Sequence, residues 1–155
     1  MSRIWATPVW NFFHTFAEKI DEKFYEKNYI VCYKIIKLIC HILPCPYCKN
    51  HASKYINKIN PYTLKKKENF RLMLYNFHNF VNKRLRKKKF LKQQLKKYNQ
   101  NNIINITIQM CKQLRRFNRK TMFFLSRDPK NIYNINRIEY TIKKNQQHFR
   151  VPHKL

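Results

Sequence analysis

Hydrophobic positions in this chain recur mostly every three to four residues, the spacing of helices with one buried face. Val9, Phe13, Phe16 and Ile20 mark the first such face, and Thr7-Pro8 predicts its start, with threonine as N-cap and proline in the first helical position. A second helix is predicted over residues 28–43, with Val31, Ile35, Leu38, Ile39 and Ile42 facing inward. Its β-branched content keeps a strand open as the rival. Pro44 ends it, because the residue before a proline avoids the helical region. Pro46 suits the first turn of a third helix reaching to about residue 59, buried through Ala52, Tyr55, Ile56 and Ile59. Asn60-Pro61-Tyr62-Thr63 reads as a turn. A fourth helix over residues 68–85 carries Phe70, Leu74, Phe77 and Val81. Further on, Ile103, Ile106, Met110, Leu114 and Phe117 predict another amphipathic helix, flanked by Arg115, Arg116, Arg119 and Lys120. Arg127-Asp128-Pro129 breaks it, and residues 131–155 are expected to hold one more short element.

The chain has 155 residues, which suits one domain with an appended tail. It contains no glycine. Dinucleotide-binding Rossmann turns, P-loops and nucleophile elbows need glycine for positive φ or close backbone approach, so these function classes are excluded and helices become the default. Net charge is +27, which draws the chain toward polyanions. An AT-rich coding bias toward Lys, Asn, Ile, Tyr and Phe accounts for part of that charge. The five cysteines are an odd count, unlike a secreted disulfide framework. No apolar run is long enough to span a bilayer, and Met1 to Trp5 lack a signal-peptide core. A soluble intracellular protein with no membrane span is the expectation.

The candidate chemistry centres on Cys45-Pro46-Tyr47-Cys48, two cysteines at a predicted helix N-terminus. Unpaired N–H groups and the helix dipole there favour a thiolate, and disulfide exchange needs a good attacking and leaving thiolate. Zinc is a rival, with Cys45, Cys48 and His51 as ligands and a fourth from Cys40, His41 or a distant histidine. No second Cys/His pair has ligand spacing. A glutaredoxin-like enzyme is another rival, but that fold needs a strand before the motif and glycine-bearing turns. Two inert cysteines are the third. Cys32 and Cys40 would lie about 12 Å apart on one helix, too far for a mutual disulfide, and read as buried small hydrophobes.

Two polar stripes flank this motif in sequence. Trp10, His14 and Ala17 lie beside the first core face, and Tyr75, His78, Asn82 and Leu85 lie beside that of the fourth helix, with Asn79 adjacent. His and Asn are poor choices in a helix interior. They are either satisfied polar residues at a helix junction or the grip on a polar aromatic ligand. The basic run from Lys83 to Lys89 is a solvated face, a nucleic-acid patch or a clamp on a pyrophosphate.

Together these residues resemble the Erv/ALR family of FAD-linked sulfhydryl oxidases. The likeness spans roughly residues 5–98 and rests on three patterns in order: Trp10-x-x-x-His14-x-x-Ala17, Cys45-x-x-Cys48-x-x-His51-Ala52 and His78-Asn79-x-Val81-Asn82-x-x-Leu85-x-Lys87-x-x-Phe90. Leu43-Pro44-Cys45 and Asn60-Pro61-x-Thr63-Leu64 are most similar to short forms from large double-stranded DNA viruses, the asfarvirus type in particular. Glu18 stands where family members often carry an aromatic residue, and Leu91 and Lys92 stand where a cysteine commonly follows.

The resemblance implies an all-α fold, a four-helix bundle with a short fifth helix around FAD, plus a mostly helical C-terminal extension. It divides the chain into an oxidase domain over residues 1–98 and a basic extension over 99–155 of unassigned role. It implies that Cys45 takes the incoming thiol and that Cys48 is proximal to the flavin. FAD contacts are implied for Trp10, His14, Cys48, His51, His78, Asn79, Val81, Asn82, Lys83, Lys87 and Phe90, with no metal. The implied activity forms disulfides in a thiol-containing, thioredoxin-like substrate protein and passes electrons through FAD to oxygen, giving hydrogen peroxide. A homodimer is implied, acting at viral assembly sites in the host-cell cytoplasm, with the virion as a further location. The competing function is a basic nucleic-acid-binding protein without enzymatic activity, using Lys83 to Lys97 and the tail. Weak nucleic-acid affinity through the basic surface is expected even of the oxidase.

Overall fold

The computed structural model describes residues 4–120 and 129–151, so the expectations for Met1 to Arg3 and for Arg127-Asp128 fall outside the described residues. Six α-helices are present among them: α1 (Ala6–Lys19), α2 (Glu22–His41), α3 (Pro46–Asn57), α4 (Lys67–Arg84), α5 (Ile103–Lys120) and α6 (Pro129–Lys144). Short 3₁₀ segments cover Pro61–Leu64, Lys92–Gln100 and Gln146–His148. The all-α expectation holds.

α1 is the central helix. Every residue from Phe12 to Ile20 is buried, because its neighbours enclose it on all sides. α4 runs antiparallel along it, as contacts between His14 and His78 and between Glu18 and Arg71 show. The other flank of α1 is covered by α5, which in turn carries α6. Ile103, Met110, Cys111, Leu114, Ile135, Ile138 and Ile142 therefore join the same core as Phe12 and Phe16. The extension is part of the bundle's packing among the described residues. It ends by tying back to α1, with Arg150 N–H donating to Lys19 O at 2.8 Å.

Several sequence expectations need correction. Thr7 is not the N-cap: α1 begins at Ala6, after Trp5, with Pro8 inside the first turn where its missing N–H has no intrahelical role. α2 begins six residues earlier than expected, because the Asp21 side chain accepts from Phe24 N–H at 2.8 Å and caps it. Its inward face is Tyr25, Cys32, Tyr33, Ile36, Ile39 and Cys40, which leaves Val31 51% exposed. Two tyrosines turned this face: Tyr25 Oη donates to Leu64 O at 2.6 Å and Tyr33 Oη to Ile56 O at 2.7 Å. α3 stops at Asn57, short of Ile59. The expected short final element is the sixteen-residue α6, which Pro129 opens.

The absence of glycine leaves a mark at the end of α4. Arg86 adopts φ 53°, the left-handed conformation that usually belongs to glycine. Lys87 N–H donates to Asn82 O at 2.9 Å and Arg86 N–H to Lys83 O at 3.1 Å, closing a Schellman turn. That turn aims the following basic residues back at the bundle.

Candidate active site

Cys45 is the N-cap of α3, with extended φ −93° and ψ 113°. Its Sγ accepts from Cys48 N–H at 3.3 Å. Pro46 follows in the first turn, where no partner for its nitrogen is needed. An N–H donor thus points at the Cys45 sulfur, where charge develops during exchange. Both cysteines are half-buried. Cys32, Cys40 and Cys111 are sealed in the core, and burial pushes the Cys32 and Cys111 thiols up to about 12 and the Cys40 thiol up further. Cys32 and Cys40 are buried small side chains, as expected, and Cys111 is buried with them.

Cys48 opens on a cavity of about 560 Å³. The walls are the N-terminal half of α1, the first turns of α3, the C-terminal half of α4 and the chain from Lys87 to Tyr98. Inside, His78 is sandwiched between Trp10 (centroids 4.1 Å apart, planes within 4°) and Phe90 (4.5 Å). His14 lies behind, 1% exposed, with Nε2 2.9 Å from His78 Nδ1 and its ring against Tyr98 at 4.9 Å. Burial first, then His78 and Lys97, hold His14 down to about 3. Burial, Lys97 and Lys87 hold His78 down to about 4. Both imidazoles are therefore neutral at physiological pH, and one donates to the other.

Asn79 has a structural task here. Its Nδ2 donates to Phe90 O at 3.0 Å and its Oδ1 accepts from Phe90 N–H at 2.8 Å. This two-way clip holds the Phe90 ring over His78. Asn82 Nδ2 donates to Lys88 O at 3.2 Å, fixing the basic turn at the cavity rim. Arg84 lies over the Tyr47 ring, 4.5 Å from its centroid, and also donates to the Tyr47 hydroxyl. α3 and α4 are thereby joined across the mouth.

Of the residues expected to hold a cofactor, Trp10, Cys48, His51, His78, Val81, Asn82, Lys87 and Phe90 line the cavity. His14 and Asn79 support it from behind, and Lys83 and Cys45 are not on its wall. The structure adds Trp5, Tyr47, Arg84, Lys88, Lys97 and Tyr98 to the lining. Arg84 and Lys88 lay within the basic run. Nothing in the local pattern around Lys97 and Tyr98 pointed to them. Among the described residues, no three His, Cys, Asp or Glu side chains converge as a metal site. Chemically, the cavity is a slot for a flat aromatic ring system, with four cations (Arg84, Lys87, Lys88 and Lys97) for an anionic arm and one cysteine in its wall.

Known proteins share part of this sequence. The FAD-linked sulfhydryl oxidase of African swine fever virus, from a Kenyan pig isolate, is 37% identical over 87 residues, covering 54% of this chain and 70% of the relative. Its counterpart from a Malawian tick isolate is 38% identical over 85 residues, with the same coverage. No solved structure matches the chain. The profile of the Erv1 / Alr family matches residues 7–101, which include α1 from Thr7 onward, α2, α3, α4 and the cavity lining from Thr7 onward. The chain belongs to the Erv1/Alr family.

Proposed function

We propose that this protein is an FAD-dependent thiol oxidase that forms disulfides through Cys45 and Cys48. The observation that carries the reading is that Cys48 opens on the same cavity as the Trp10–His78–Phe90 stack. The viral relatives are FAD-linked sulfhydryl oxidases by name, in support of the cofactor and the reaction. The residues fit the group: the aromatic stack accepts a planar ring system, and neutral His14 and His78 leave that site uncharged. Arg84, Lys87, Lys88 and Lys97 are placed for a diphosphate.

In the reaction, a substrate thiolate attacks Cys45 Sγ of the oxidised pair. The Cys45–Cys48 bond breaks, a mixed disulfide forms and Cys48 leaves as a thiolate. The second substrate thiol then displaces Cys45, so the substrate gains a disulfide and the pair holds two electrons. Bound FAD supplies the two-electron acceptor for the reduced pair and the route to oxygen, which becomes hydrogen peroxide. The chain's own part is to keep Cys45 at the α3 cap, to hold Cys48 in the cavity wall and to exclude water by the stack. Oxygen as acceptor, a homodimer, a thioredoxin-like substrate protein and a site in the cytoplasm or virion of an infected cell belong to this proposal, supported by the family and the viral relatives. So does the division at residue 98 into oxidase domain and extension. No described helix is long and apolar enough to cross a membrane.

The test is the visible spectrum and oxygen uptake of the purified protein with dithiothreitol in air. A flavin spectrum that bleaches with thiol and recovers with oxygen is expected, and Cys48→Ser abolishes thiol-dependent uptake while retaining the flavin. A protein that stays colourless after incubation with FAD, or a Cys48→Ser variant with unchanged turnover, refutes the reading.

A further inference from the structure

The charges of this chain are sorted by position as well as by number. Its acidic residues are Glu18, Asp21, Glu22, Glu26, Glu68 and Glu139, with Asp128 outside the described residues. Five of these gather at one end. Glu18 and Glu68 are both bridged by Arg71, at 2.8 and 2.6 Å, and Asp21, Glu22 and Glu26 lie at the adjoining start of α2. Because α4 is antiparallel to α1, that end is opposite the mouth of the cavity, with Glu18 about 10–18 Å along α1 from the lining residues Asn11 to Ala6. Glu139 is held on α6 by Arg115 and Lys143.

The mouth is built only from segments free of acids. Between Glu26 and Glu68, and between Glu68 and Asp128, the sequence contains no Asp or Glu. These intervals supply α3, the C-terminal half of α4 and the chain to Tyr98, and the remaining wall, from Trp5 to Asn11, precedes the first acid, Glu18. Four cations line the cavity itself, more than the two negative charges of a dinucleotide diphosphate balance. Outside the lining stand half-buried Lys49, one turn after Cys45, and exposed Lys83, Arg86 and Lys89. Tyr47 and Phe80, 57% and 44% exposed, add aromatic surface beside Cys48. A coding bias sets how many lysines a chain has. It does not place the acids at the opposite end from a redox cysteine.

We propose that this cationic, aromatic-studded mouth is a docking surface for a protein substrate whose dithiol is bordered by aspartate and glutamate. The inference rests on the oxidase reading above and names the class of thiol that reading leaves open. A protein is favoured over a nucleic acid because half-buried Cys48 lies in the cavity wall and the exposed rings of Tyr47 and Phe80 line the same cavity as apolar anchors. Charge of this kind acts mainly on the rate of encounter and on partner choice, and salt screens it.

The experiment uses the flavin-loaded full chain and three peptides with one dithiol core, flanked by acidic, neutral or basic residues. Serine versions of the same peptides report binding without exchange. At low salt, kcat/KM for the acidic peptide is expected to exceed that for the neutral one roughly tenfold, with the gap closing as salt rises past the point where the Debye length is about 8 Å. The serine peptides bind in the same order. Lys49→Glu with Lys89→Glu removes the gap, whereas Lys23→Glu with Lys27→Glu, an equal charge change at the acidic end, keeps it. Dithiothreitol oxidation is unchanged in both. Equal kcat/KM for acidic and neutral peptides, or a gap that survives Lys49→Glu with Lys89→Glu, overturns the proposal. Salt-sensitive binding of a DNA duplex with no preference among the peptides assigns the surface to nucleic acid and also overturns it. Failure to oxidise dithiothreitol refutes the oxidase reading instead, while the serine peptides still decide the docking surface.

Discussion

The two ends of α1 put polar groups inside the protein in different ways. At the C-terminal end, buried Glu18 meets Arg71, and Lys67 Nζ donates to Glu18 O at 3.1 Å and Ile20 O at 2.5 Å. Burial lowers Lys67 to about 8, so it remains charged at neutral pH and caps the last carbonyls of α1. Arg150 adds a bond to Glu18 O, and Lys19 donates to Asn99 O. Charges there are matched by internal partners. At the N-terminal end, His14 and His78 are neutral and bonded to each other, their faces are stacked with aromatics, and the space beside them is open. The same helix is a structural rod at one end and a ligand wall at the other. Burial alone does not separate the two; the open volume beside the polar groups does.

That contrast can be broken at either end. The largest stability loss is expected from Phe16→Ala in the sealed half, about 3–5 kcal/mol, read from denaturant unfolding. Breaking the charge pair with Arg71→Ala should cost about 2 kcal/mol, less than a fully buried pair because Arg71 is 32% exposed. Trp10→Ala in the open half should lose flavin from the purified protein, measured by absorbance ratio, at a smaller stability cost than Phe16→Ala. Acid sharpens the comparison. His14 and His78 have folded-state values below the ordinary 6.5. Their stabilising contribution is therefore complete above about 6.5 and is lost as pH falls toward 4 and 3, where the unfolded chain binds more protons. Unfolding midpoints measured between pH 7 and pH 4 should fall, and His78→Asn should flatten the slope. The smallest effect is at the turn that aims Lys87 and Lys88: Arg86→Gly relieves the left-handed strain and should stabilise by about 1 kcal/mol in the same denaturant assay.

The extension also reaches the site. Asn118 Nδ2 donates to Ile42 O at 3.2 Å, and its Oδ1 accepts from Asn131 Nδ2 at 3.1 Å. Asn118 of α5, itself held by Asn131 of α6, thereby braces the loop that leads into Cys45. This contact spans 76 residues in sequence, and nothing local in either segment announces it.

Much was legible in the chain alone because it depends on neighbours one helical turn apart. Trp10 and His14 share a stripe, His78 and Asn82 share another, and Cys45 with Pro46 writes its own helix start. The apolar face of α1 and the turn at Asn60 follow from the same short-range rules. Other features depended on contacts between distant segments. Val31 faces outward because Tyr25 and Tyr33 found carbonyls on the Pro61–Leu64 segment and α3. Arg84 meets Tyr47, and Lys97 and Tyr98 reach the cavity, only once α3, α4 and the Lys92–Gln100 segment are packed around α1. Spacing along a helix sets which side chains share a face, and so the sequence by itself determined the all-α class, most of the helices and the placing of Cys45 and Cys48 at a helix start. Which faces meet, and where a cavity is left between them, is decided by packing many segments at once, and only the tertiary structure could show it.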